Sequence, residues 1–333
     1  MILMNDFNSE PSDLLEATEV AVKRVLDSGW YVLGKEVEEF EKSWAESCGV
    51  EYSVGVGNGM DAIEIILRCL NIGPGDEVIT TSMTAFATVL AIIRSGATPV
   101  LADIEPGSAL LSMSSVSRCV NSKTKAIILV HLYGQLRDMP EWQTFCTDNK
   151  INLIEDCAQS HIANSEGKFA GSFGVGGAYS FYPTKNLGTP GDGGALVTNC
   201  SELAFQAKRL RNYGQSERYH HPEVGMNSRL DEMHAAILRV RLNWLKAFTD
   251  RRREIADMYM EGIRNSKISL MSQPQSKAAH VYHLFVIVTP KREGLMDYLK
   301  ERGVSTLIHY PVPIHMQKPC ICFKRDPNGL PHT

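Results

Sequence analysis

Seven short runs of apolar and β-branched residues punctuate the chain before residue 200: YSVGVG (52–57), EVITT (77–81), TPVLADI (98–104), AIILV (126–130), INLIED (151–156), AYSFY (178–182) and GALVTN (194–199). Between them lie stretches whose apolar residues recur at helical spacing, such as MDAIEIILRCL (60–70) and FATVLAIIRSG (86–96). Near-continuous apolar strands with interposed helices predict an α/β fold, a mostly parallel sheet covered on both faces. After Asn227 the pattern changes. Residues 228–263 are charged with helical periodicity, which predicts two helices or one bent one. Strand-like 281–288, helix-like 292–303 and strand-like 304–310 follow. The expectation is a large α/β domain over residues 1–246 and a smaller α+β domain over 247–333.

Composition narrows the partners. At 333 residues the chain is long enough for a large core and more than one domain. A net charge of −4 supplies no basic field for nucleic acid or an anionic membrane. The opening MILMNDFNSEPSD turns acidic too soon for a secretory signal, and no run approaches the ~18 apolar residues of a spanning helix. The eight cysteines are scattered; Cys320 and Cys322 form C-x-C, not a zinc or redox C-x-x-C pair. The expectation is a reduced, cytoplasmic protein with no metal site.

Candidate chemistry sits at the ends of strands, where open α/β sheets gather ligands. VGVGNGMDA (54–62) runs from a strand through Gly57-Asn58-Gly59 into a helix near Met60. That is either a phosphate site on the helix amides or a tight turn with an ordinary cap. It is not a G-x-G-x-x-G fingerprint, which disfavours a dinucleotide. LIEDCAQS (153–160) ends an apolar strand with Glu155 and Asp156, and alternation sends one of them to each face. The carboxylate facing the site has either a functional or a hydrogen-bonding role; Gln159 follows about one turn on. The stretch SFYPTKNLGTPGDGG (180–194) holds Lys185 between Pro183 and Pro190 in apolar text, where desolvation lowers an amine's pKa. An anion hole, an acid and a constrained lysine are the three groups that pyridoxal 5'-phosphate requires.

With these residues on the page, the chain resembles the DegT/DnrJ/EryC1/StrS family of sugar aminotransferases, of fold-type I, from about Asp6 to its end. The blocks are SGWYVLGKEVEEFE (28–41), GDEVITTSMTAFATVLAI (75–92), VHLYGQ (130–135), EDCAQS (155–160), SFYPTKNLG and GDGGAL (180–196), LRNYGQ (210–215), GMNSRLDEMHAAIL (225–238) and IHYPVPIHMQ (308–317). The resemblance implies Lys185 as covalent anchor and proton shuttle, Asp156 on the cofactor's ring nitrogen, and Gln159 against the ring near its hydroxyl. It implies Ser180 with the backbone of Gly59 and Met60 around the phosphate, and Asn227 reaching across a homodimer to the partner's phosphate. His309 and Tyr310 fall in the substrate region. The implied reaction is ping-pong amino transfer from glutamate (or glutamine) to a nucleotide-linked ketosugar, in amino-sugar or surface-polysaccharide synthesis. The segments NGMDA and HLYGQ look most like enzymes acting on dTDP-linked 3-keto-6-deoxyhexoses. Relatives with histidine at the anchor position dehydrate instead; Lys185 points to amino transfer.

Three departures accompany the resemblance. In Thr84-Ala85-Phe86-Ala87-Thr88, alanine stands where relatives carry a ring-stacking aromatic residue, so Phe86 or another group would have to cover the ring. Met60 replaces a common threonine. The sequence reaches GLPHT where relatives continue the small domain. These motivate an alternative, a regulatory or catalytically impaired relative that keeps the cofactor and the dimer without turnover. A nicotinamide oxidoreductase, resting on glycine-rich strand ends alone, is a third reading.

Overall fold

A computed structural model describes residues 1–333. Helices α1 (Ser12–Ser28) and α2 (Lys35–Cys48) lead into strand β1 (Tyr52–Val56) and helix α3 (Gly59–Cys69). Then come β2 (Glu77–Thr81), α4 (Phe86–Ser95), β3 (Thr98–Ala102), α5 (Met113–Cys119), β4 (Thr124–Val130), α6 (Met139–Asn149) and β5 (Asn152–Asp156). A hairpin of β6 (Asn164–Ser165) and β7 (Lys168–Phe169) precedes β8 (Gly176–Ser180), β9 (Gly194–Thr198), α7 (Ser201–Leu210) and α8 (Glu232–Gly262). The remainder contributes β10 (Ser269–Leu270), β11 (Ile287–Val288), α9 (Arg292–Glu301) and β12 (Lys324–Arg325).

All seven sequence-predicted strands before residue 200 enter one eight-stranded sheet, in the order β1-β9-β8-β5-β4-β2-β3-β12. Every pairing is parallel except those of β9, which runs antiparallel to both β1 and β8. One face carries the apolar sides of α3, α4 and α7, with Ile65, Ile66, Ile92 and Ala207 against Val54, Ile128 and Ile154. The other face carries α2, α5, α6 and α8, where Phe40, Trp44, Trp142 and Leu238 meet Ile127, Leu129 and Val197. Burial on both faces explains the unbroken apolar text of these strands.

Residues 232–262 form one helix of 31 residues, not two, because no proline or glycine interrupts them before Gly262. Its first turn also organises α2. Glu232 accepts from the backbone amides of Gly34 (2.8 Å), Glu36 (2.8 Å) and Val37 (3.0 Å), capping a helix whose own N-cap, Gly34, has no side chain.

The C-terminal third departs from the sequence expectation. Of 281–288 only Ile287–Val288 is a strand, paired with β10, and 304–310 forms no strand beyond a single bridge from Val304 to Ile2. Those backbone groups are spent elsewhere: the Val281 amide goes to Gly134 O, Leu284 N to Tyr133 O and Ser305 N to Ile2 O. Beyond residue 247 the chain also returns to the large sheet. Strand β12 pairs in parallel with β3, and Ile314 and Cys320 pack on Val89 and Leu101.

Candidate active site

The sheet brings its strand ends to one cavity, of about 260 Å³ with its open mouth included, lined by Thr84, Ala85, His131, Asp156, Ala158, Gln159, Lys185 and Tyr310 among others. Each comes from just beyond the carboxyl end of a parallel strand or from the loop 308–317.

Lys185 follows β8 in a loop that local contacts hold in place. Its amide donates to Tyr182 O (2.9 Å), and Thr189 N returns to Phe181 O (2.9 Å). Gly188 has to be glycine, since a Cβ there would lie 2.6 Å from Pro183 O. The next residue fixes the loop from behind. Asn186 Nδ2 donates to Val281 O (3.1 Å), so its Oδ1 is the acceptor for His283 Nδ1 at 3.1 Å. Lys185 is partly buried, and burial around its amine lowers its pKa; Asp156 opposes the shift. Around it stand neutral histidines. Burial, then the lysine's charge, hold His161 down to about 3, His283 well below its ordinary value and His309 below it.

Asp156 and Glu155 divide as the alternation predicts. Asp156 lines the cavity, with Oδ2 accepting from Thr88 Oγ1 (2.8 Å) and Oδ1 from Ala158 N (3.1 Å). Glu155 faces away and is saturated: Oε1 accepts from Phe173 N (2.7 Å) and Gly174 N (2.9 Å), Oε2 from Gly171 N (2.9 Å) and His131 Nε2 (2.9 Å). A carboxylate oxygen accepts, so His131 Nε2 is assigned as the donor in this contact. Gln159 is held at both ends, its Oε1 by Tyr133 N (2.6 Å) and its Nε2 by Tyr310 OH (3.2 Å). Burial pushes the Tyr310 hydroxyl up to about 12, so it remains a phenol.

At the turn after β1, Asn58 caps α3 by accepting from Asp61 N (2.9 Å), while Asn58 O takes Ala62 N. The amides of Gly59 and Met60, first in the helix, lie outside that cap and are aligned for an anion. Ser180 closes on the same turn: a Cβ on Gly59 would sit 2.9 Å from Ser180 Cβ. The Met60 side chain turns to the core beside α3.

Five of the sequence candidates are not part of the cavity wall: Gly59, Met60 and Ser180, which form the turn just described, and Asn227 and His309. Asn227 is exposed on the surface, bridged to Asn212, while its neighbour Ser228 accepts from Gly57 N (2.9 Å) and donates to Asp61 Oδ2 (2.7 Å). His309 offers its backbone oxygen to Tyr133 OH (2.7 Å), and its ring is not part of the cavity wall. Phe86 is exposed and does not replace Ala85, which itself lines the cavity. Sequence reasoning missed Thr88, His131, Asn186 and His283. The threonines at i and i+4 in TAFAT were the one available signal for Thr88.

Aminotransferases are among the proteins that share this fold at high similarity. DesV of Streptomyces venezuelae, solved with a ketimine intermediate, superposes with a TM-score of 0.95 at 41% identity, covering 99% of this chain and 89% of DesV. The chain belongs to the DegT/DnrJ/EryC1/StrS aminotransferase family, whose pattern matches residues 13–333. It is 48% identical over 298 residues to dTDP-3-amino-3,6-dideoxy-alpha-D-galactopyranose transaminase of Aneurinibacillus thermoaerophilus, spanning 90% of this chain and 82% of that one. NtdA of Bacillus subtilis, solved with the cofactor PMP bound, aligns with a TM-score of 0.86 at 31% identity, over 92% of this chain and 72% of NtdA. The family fixes the class of enzyme, an aminotransferase.

Proposed function

We propose that this aminotransferase moves an amino group from glutamate (or glutamine) to a nucleotide-linked ketosugar, a dTDP-linked keto-6-deoxyhexose, using pyridoxal 5'-phosphate. The observation that carries the reading is the convergence of Lys185, Asp156 and Gln159 on one cavity. The relatives' dTDP-sugar substrates support the sugar class.

The residues present fit the cofactor. Asp156 is a carboxylate only 7% exposed that meets two neutral donors, so it has room for a cationic partner such as a protonated ring nitrogen. Gly59 lies so close to Ser180 that a side chain there would collide with it, and this brings Ser180 against the first amides of α3. When bound, pyridoxal phosphate supplies an aldehyde to carry the amino group and a ring to accept the electrons released at the substrate carbon.

The chain's own groups do the rest. The lowered pKa of Lys185 keeps a fraction of its Nζ unprotonated, able to attach covalently and to carry a proton to and from the substrate carbon. Asp156 would hold the ring-nitrogen proton, and Gln159, fixed by Tyr133 and Tyr310, would lie against the ring. Ser180 with the Gly59 and Met60 amides binds the phosphate. Asn227, exposed on this chain, completes the partner's phosphate site in a homodimer. His309 and Tyr310 border the sugar. The eight unpaired cysteines are in keeping with a cytoplasmic setting, and no helix is long and apolar enough to cross a membrane.

Incubation of the protein, cofactor and glutamate with a panel of nucleotide-ketosugars, read by mass spectrometry, tests the substrate. Gain of an amino group by a dTDP-linked keto-6-deoxyhexose is the expected result; no gain by any member of the panel sinks it. A visible cofactor band that survives Lys185→Ala would remove the lysine from its role.

A further inference from the structure

The carboxylate that faces the cavity is aimed by a threonine that does not line it. Asp156 Oδ2 accepts from Thr88 Oγ1 at 2.8 Å, and Thr88 Oγ1 lies 2.9 Å from Thr84 Oγ1. All three groups are buried: Thr88 is 0%, Thr84 4% and Asp156 7% exposed. The direction of the chain follows from proton counting. Thr88 donates to Asp156, and a hydroxyl has a single proton to give. Thr84 must then donate to the Thr88 oxygen, and the order is Thr84 to Thr88 to Asp156.

Thr84 precedes Ala85, the N-cap of α4, and Thr88 lies in the first turn, so their hydroxyls meet at the start of the helix. Asp156 ends β5 on the sheet face that α4 covers, beside Ile154. The second oxygen is held independently by Ala158 N. With one donor on each oxygen, the carboxylate plane is set by two elements at once. Rotation about its terminal bond would break both contacts, and such terminal torsions are otherwise broad. Each oxygen retains a lone pair for a partner in the cavity.

We propose that Thr88, supported by Thr84, is a positioning residue that fixes the Asp156 carboxylate in the orientation required to meet a cofactor ring nitrogen. The proposal rests on the pyridoxal phosphate reading above and adds to it a residue that does not line the cavity. Charge-assisted donors are the stronger kind of hydrogen bond, which makes a single hydroxyl sufficient for the task.

The test compares Thr88→Val, which keeps the shape and removes the proton, with Thr88→Ser, which keeps the hydroxyl. The probe is pyridoxal 5'-phosphate added to stripped protein, followed by fluorescence titration and by the pH midpoint of the bound visible band. Thr88→Val is expected to weaken cofactor binding about tenfold and to move the pH midpoint upward, because a less well held ring proton withdraws less charge. Thr88→Ser is expected to restore both, and Thr84→Val to give a smaller effect in the same direction. Wild-type affinity and midpoint in Thr88→Val would overturn the proposal alone. So would equal losses in the valine and serine variants with matching drops in melting temperature, which mark a packing role. Failure of the unmodified protein to show a Lys185-dependent band would overturn the cofactor reading and this proposal together.

Discussion

Glu155 and Asp156 are chain neighbours that face opposite sides of β5 and meet opposite environments: four donors saturate Glu155, and two leave Asp156 open to the cavity. Their isosteric amides should therefore fail differently. Glu155→Gln sets an NH₂ group against backbone N–H donors and is expected to cost about 3 kcal/mol of stability, measured by urea unfolding. Asp156→Asn is expected to leave the unfolding midpoint within ~1 kcal/mol while weakening cofactor binding at least tenfold. Equal stability losses in both would contradict the division of roles.

The contact between Gly59 and Ser180 admits no added carbon, since the nearest atom would lie 2.9 Å away. Gly59→Ala should push the two strand ends apart and lower affinity for pyridoxal phosphate by about tenfold or more, ~1.4 kcal/mol. Affinity for pyridoxal, which lacks the phosphate, should change far less. Equilibrium dialysis with both ligands makes the comparison.

A lowered pKa makes Lys185 the amine that stays reactive as the solution is acidified. Pyridoxal phosphate followed by borohydride at pH 7 should mark Lys185 ahead of the surface lysines. Its labelling should persist to lower pH than theirs, because a depressed pKa moves the loss of the free amine downward. Peptide mapping by mass spectrometry reads the order, and random labelling would refute it.

Buried histidines give the fold an acid-side weakness. His161, enclosed by Trp44, Tyr179 and Phe181, is held to about 3 by burial, and burial likewise holds His280 to about 3. Above pH 6.5 neither state is protonated and no penalty exists. As pH falls from 6.5 toward 3, the unfolded chain takes up protons that the native state refuses. Each histidine then removes about 1.4 kcal/mol per pH unit. Urea unfolding at pH 7, 6 and 5 should show this slope, and His161→Phe should flatten it by one histidine's share.

Much of this site was legible in the sequence because strand ends, glycines and a lone lysine are local signals. The runs from YSVGVG to GALVTN all became strands, and Lys185, Asp156 and Gln159 meet in one cavity. The hydroxyl line from Thr84 to Asp156 was not legible, because it depends on how α4 packs on β5. Residues 281–288 read as a strand because VYHLFVIV is apolar and β-branched. Their backbone instead braces the loop of Lys185: Val281 O accepts from Asn186, and Tyr282 adopts a φ of +44°. Tertiary use of the backbone overrode propensity there.

The pairing of β1 with β9 joins Tyr52 to Thr198, segments far apart in the sequence. The turn at Gly59 leaves β1, and the loop of Lys185 leads into β9. A chain emerging during synthesis therefore carries the Gly59 half of the site long before the Lys185 half exists. Such distant pairing slows the search for the native topology, and a nascent chain cut short before β9 would hold no complete cradle. Competence to capture a small molecule is thus a late event in the life of this polypeptide, arriving only when strands made far apart in time lie side by side.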